Sequence, residues 1–118
     1  MKNLQENINQ YVGAWNKKSE EEIRYDLEQS CAAQITYTDK NVTMTVGIDA
    51  LMKLVISSHK MIPGRIFSVF DHVESFDNHA TFRWGINIPE KGDFLGRDYL
   101  QYDENNLITK IIGFVPSL

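Results

Sequence analysis

A chain of 118 residues, 42% hydrophobic and 11% aromatic, has the length of one globular domain over 1–118 and the apolar content to build its own core. Sixteen acids against twelve bases, with no basic cluster beyond Lys17 and Lys18, leave no footprint for phosphate backbones or anionic lipid, which argues against nucleic acid and membrane partners. No apolar run approaches the roughly 20 residues of a membrane span, the N-terminus lacks a signal-peptide core, and a single Cys31 suggests neither disulfide nor zinc site, so a soluble cytoplasmic protein with no metal or cofactor is expected.

Leu4, Ile8, Tyr11, Val12 and Trp15 recur at helical spacing and predict a first amphipathic helix ending near Asn16. Ser19 followed by Glu22 is a capping box for a second helix, with Ile23 and Leu27 turned to the core, so a helical hairpin is expected over roughly residues 2–30. Ile35, Tyr37 and the Thr-rich run from Val42 to Val46 favour a short strand pair around Asp39 and Lys40. Ile48, Leu51, Met52, Val55, Ile56 and His59 repeat the helical pattern between Gly47 and Pro63, which gives a third helix. From Arg65 the period is two, interrupted at 77–78, 89–93 and 103–106, and this predicts four long strands in a meander. Three helices followed by a curved, mostly antiparallel sheet make an α+β domain with its helices on one face.

Alternation then decides which way each side chain points. A turn at Asp77 and Asn78 sets Trp84 opposite Asp71, and closing the next hairpin with Ile88 against Phe94 sets Phe82 beside Leu100 and Trp84 beside Asp98. The last hairpin pairs Asp98 with Ile111. One face therefore carries Phe67, Val69, Phe82, Trp84, Ile86, Leu100 and Ile111, interrupted by Asp71 and Asp98. The opposite face, with Phe70, Arg83, Arg97, Tyr99, Ile112 and Phe114, is too apolar for open solvent and predicts a homodimer through the outer sheet. A carboxyl group carried inward raises its pKa and becomes a hydrogen-bond donor, unless Arg83 or Arg97 reaches around to pair with it. His59, on the apolar stripe of the third helix, is an acid or base for a pocket, or else a hydrogen-bonded histidine at a helix end. The expected pocket wall consists of Trp15, Tyr37, Val55, Asp71, Phe82, Trp84, Leu100 and Ile111.

The ITYTD stretch ahead of a GIDAL helix start, FRWGI, GRDYLQYD and the closing IIGF, in this order over nearly the whole chain, resemble the nuclear transport factor 2-like superfamily and within it an uncharacterised branch of the bacterial SnoaL-like proteins. The resemblance implies a cone-shaped α+β barrel, in which a strongly bent sheet wraps around helices and encloses an apolar pocket for a small organic ligand, usually in a dimer. Its catalytic members include ketosteroid isomerases, polyketide cyclases and dehydratases that work without a cofactor. By position, Asp39 matches the isomerase general base and Asp98 its protonated oxyanion-hole acid. The oxyanion tyrosine falls on Trp15 by ungapped count, with Tyr11 one helical turn earlier. Lys40 stands where the isomerases have proline, and Asn106 where they have a turn glycine. The function so implied is cofactor-free acid/base isomerisation, cyclisation or dehydration of a small hydrophobic molecule. The alternative is a non-catalytic ligand-binding or dimeric interaction domain.

Overall fold

The structure, a computed structural model, describes residues 2–118. Helix α1 (Leu4–Ala14) opens on a capping box: the Asn3 side chain accepts from the Glu6 N–H at 2.8 Å while the Glu6 carboxylate accepts from the Asn3 N–H at 2.9 Å. Helix α2 (Glu20–Ser30) is capped by Ser19, whose hydroxyl accepts from the Glu22 N–H at 3.2 Å. Strands β1 (Cys31–Asp39) and β2 (Val42–Val46) form the expected pair, and helix α3 (Ile48–Met61) follows Gly47, whose φ of 91° lies in the left-handed region that glycine enters at no cost. Then come β3 (Ile66–Val69), β4 (Glu74–Phe76), β5 (His79–Ile88), β6 (Gly92–Tyr102) and β7 (Ile108–Phe114).

These strands form one mixed sheet in the order β2-β1-β7-β6-β5-β3, with β4 also paired to β5. Only β1 and β7 run parallel. The sheet is curled but its two edges do not meet, so the domain is α+β with an open sheet and no closed barrel. One edge is covered from the helical layer. The Asn16 side chain, just past α1, donates to the Phe67 carbonyl and accepts from the Phe67 N–H, both at 2.8 Å, as a neighbouring strand would. The core lies between this face and the helices, with Ile8, Ile23, Leu27, Leu51, Val55, Phe82, Leu100 and Ile111 all at most 1% exposed. No helix among the described residues is long and apolar enough to cross a membrane.

Two features differ from the sequence-based expectation. The first long strand is broken: residues 70–73 leave the ladder between β3 and β4, so Val69, not Asp71, stands opposite Trp84. Asp71 turns instead to Arg83 on the outer face, its Oδ2 accepting from Nε at 2.6 Å and also pairing with Nη2. Both later hairpins close two residues away from the expected register. Phe82 faces Asp98, Trp84 faces Gly96, and Asp98 faces Gly113. The physical cause in the first is a tighter loop: Ile88 already pairs with Gly92, with Glu90 (φ 70°) and Gly92 (φ 101°) taking the left-handed conformations that close it. A slip of two preserves the side of the sheet on which each residue lies. Asp98 therefore points inward even though its neighbours are different ones.

Candidate functional site

Asp98, near the middle of β6, is 5% exposed. Its Oδ1 accepts a hydrogen bond from Trp84 Nε1 at 2.9 Å. Two glycines make this arrangement possible. Trp84 lies across Gly96, where a Cβ would stand 2.3 Å from its ring. On the other side, a Cβ on Gly113 would fall 3.3 Å from Asp98 Oδ1 and 3.1 Å from Tyr37 Oη, so bare backbone lets the acid and the phenol approach. No Lys or Arg pairs with Asp98 among the described residues. Arg83 is held by Asp71, and Arg97 donates to the Thr81 hydroxyl at 3.1 Å. Burial consequently pushes the Asp98 carboxyl up to about 7; the Trp84 hydrogen bond opposes this and the negative charge of Asp39 adds to it.

Asp39, at the end of β1, is half-buried and each of its oxygens has a donor. Tyr37 Oη donates to Oδ2 at 2.8 Å and the Asn41 N–H to Oδ1 at 2.7 Å. Tyr11 projects from α1 and is 2% exposed. Burial, and after it the nearby Asp98 carboxylate, hold both phenols above the ordinary tyrosine range, so Tyr11 and Tyr37 remain O–H donors.

These groups border a recess of about 560 Å³ whose wall is mostly apolar. Tyr11, Trp15, Tyr37, Asp39, Trp84 and Asp98, six of the residues singled out from the sequence, line it. Val55, Phe82, Leu100 and Ile111 do not: they lie in the core and hold the lining side chains in place. Asp71 is outside with Arg83. His59 also turns away from the recess. Its Nε2 donates to the Lys17 carbonyl at 2.6 Å, Arg65 Nη1 approaches Nδ1 at 3.2 Å, and burial together with Arg65 lowers its pKa. That is the helix-end histidine, not a group of the recess.

Sequence reasoning missed two parts of the wall. One is the flank of α3 formed by Leu54, Ser57, Ser58 and Met61. Residues 54, 58 and 61 repeat at helical spacing beside the core stripe, a signal that the sequence does carry. The other is the end of the tail after β7, from Pro116 to Leu118, which has no periodicity to reveal it; Val115 just before it is expected on the inward face by alternation and does line the recess. No group of three or more His, Cys, Asp or Glu among the described residues is placed to hold a metal ion.

With this geometry in view, the fold has known counterparts. The chain superposes on a SnoaL-like family protein from Agrobacterium tumefaciens with a TM-score of 0.84 at 21% identity, covering 95% of this chain and 96% of the other. An NTF2-like protein of unknown function from Exiguobacterium gives 0.72 at 15% identity, with 95% and 99% covered. A protein of ketosteroid isomerase-like fold from Catenulispora acidiphila, in complex with trimethylamine, gives 0.71 at 16% identity, with 93% and 85% covered. The chain thus has the NTF2-like fold that SnoaL-like and ketosteroid isomerase-like proteins share. No protein-family model matches its sequence, and no curated protein does.

Proposed function

We propose that the recess binds a small, largely apolar organic molecule and that its acids and phenols carry out proton transfer on it without a cofactor. The observation that carries this reading is Asp98: a carboxyl group only 5% exposed at the edge of an apolar recess, with no cation paired to it among the described residues, so that burial pushes its pKa up to about 7. Below that pH it is a hydrogen-bond donor in a place where a neutral donor is most effective. Together with the Tyr11 hydroxyl it stabilises negative charge developing on a substrate oxygen, while the Asp39 carboxylate takes the proton from a neighbouring carbon. Isomerisation, cyclisation and dehydration of a small hydrophobic carbonyl or hydroxyl compound all use this pair of roles. Carriage of a small molecule without chemistry uses the same recess, and the trimethylamine held by the Catenulispora protein gives that second reading its support.

A simple aromatic alcohol, 2-naphthol, tests the donor by calorimetric titration. Asp98→Asn keeps an N–H donor and is expected to bind it within a few-fold of the parent. Asp98→Leu removes the donor and is expected to bind about tenfold more weakly, the usual scale for one hydrogen bond in a dry site. Equal binding by the leucine variant would remove Asp98 from the site.

We further propose a homodimer through the outer sheet face, where Phe70, Phe76, Leu95 and Phe114 are each between 46% and 75% exposed. Sedimentation equilibrium at micromolar concentration is expected to give twice the protomer mass, and Phe114→Glu to return it to one. A parent that sediments as a single protomer contradicts the dimer.

A further inference from the structure

Arg65, between α3 and β3, is 2% exposed, and no carboxylate pairs with it among the described residues. Buried guanidinium groups ordinarily have an acid beside them, because an uncompensated charge in a protein interior is costly. Here Nη1 donates to the Trp15 carbonyl at 2.7 Å, at the negative end of α1, which offsets about half an elementary charge. The Phe67 ring, 5.1 Å from Cζ, offers its face. Nη2 is buried with no hydrogen-bond partner among the described residues. Burial alone accounts for the fall of the Arg65 pKa to about 10, which leaves the group charged at neutral pH.

Three residues that Arg65 touches also line the recess: Trp15, Phe67 and Ser58. Ser58 is the informative one. Its Oγ accepts from Arg65 Nε at 3.0 Å, and its own O–H has no acceptor among the described residues. A hydroxyl that accepts from a cation is polarised to donate, and this one stands in the wall of an apolar recess. On the side of α3, then, the recess has a donor backed by a positive charge, in addition to the neutral donors Tyr11 and Asp98.

Building on the ligand-binding reading of the recess, we propose that its ligand is an apolar molecule carrying one carboxylate, which accepts from the Ser58 hydroxyl with Arg65 behind it as counter-charge. The ligand then supplies the negative charge that Arg65 lacks, and the recess discriminates between an acid and its neutral amide of the same shape.

A matched pair of probes tests this on the parent protein at pH 6, where naphthalene-2-carboxylate is ionised and naphthalene-2-carboxamide is neutral. The carboxylate is expected to bind at least tenfold more tightly than the amide. Ser58→Ala and Arg65→Met are each expected to bring the two within about threefold of each other, with the larger loss falling on the carboxylate. Should Arg65→Met fail to fold, the parent and Ser58→Ala decide the matter. A parent that binds both probes equally, prefers the amide, or takes only 2-naphthol overturns the proposal while the recess remains a ligand site. A preference that survives in Ser58→Ala overturns it as well. If neither probe nor 2-naphthol binds, the ligand-binding reading fails first and this inference falls with it.

Discussion

Asp71 lies in the break between β3 and β4 with its carboxylate against Arg83, both side chains more than a third exposed, whereas Asp98, well inside β6, has an indole N–H, two glycines and no cation. The residue type is the same and only the surroundings differ. Around Asp71 water and a guanidinium stabilise the charge, so the pair is a surface feature worth little. Around Asp98 the protein has withdrawn water without returning a positive charge, and the carboxyl answers by keeping its proton up to about pH 7. Proton chemistry on this sheet is therefore set by what strand geometry places beside a carboxyl group.

The contrast should be plainest in the pH dependence of stability. The unfolded chain ionises Asp98 near its ordinary value of 3.8, the native one only near 7. Between these values the native state holds the extra proton, so stability falls as pH rises through the window and is level above it. The site's full contribution is on the order of 4 kcal/mol. Asp98→Asn does not titrate, and its advantage over the parent in urea unfolding is expected to widen from pH 4 to pH 7 and then stop. A constant difference between the Asp98 variant and the parent across this range would show that Asp98 ionises normally.

Gly96→Ala is expected to cost about 3 kcal/mol in the same assay, because the new methyl group overlaps the Trp84 ring and displacing the ring puts its hydrogen bond to Asp98 at stake. Gly113→Ala meets only the Tyr37 hydroxyl and an Asp98 oxygen at slightly short range, so about 1 kcal/mol is expected, with a larger effect on 2-naphthol affinity than on stability. On the other side of the comparison, Arg83→Met is expected to change stability by about 0.5 kcal/mol or less. A loss of several kcal/mol there would erase the distinction between the two acids.

Much of this was legible from residue order. The three helices follow from apolar spacing, the starts of α2 and α3 from the residues flanking them, and the inward direction of Asp98 from alternation alone, because parity survives the two-residue slips in both hairpins. Exact partners did not follow, since the tight loop at Pro89 to Lys91 depends on left-handed backbone at Glu90 and Gly92 and no local composition demanded it. Asp71 was placed on the wrong side because nothing between Phe70 and Val73, neither glycine nor proline, marks the point where the chain leaves the ladder. Arg65 escaped notice for a related reason: a basic residue at a strand start reads as solvated, and only the tertiary packing of the end of α1, the last turns of α3 and the Phe67 ring around it buries it. Gly113 and Gly96 matter for what they omit, and an absent side chain is visible only when its neighbours across the sheet are known.

The most direct measurement is a titration of the Asp98 carboxyl carbon by NMR in the unliganded protein, with Asp98→Asn used to assign the resonance. A midpoint near 7 is the result expected from a buried acid without a cation. A midpoint near 4 would mean that water or a positive charge reaches the group in solution, and the acid/base reading of the recess would have no basis.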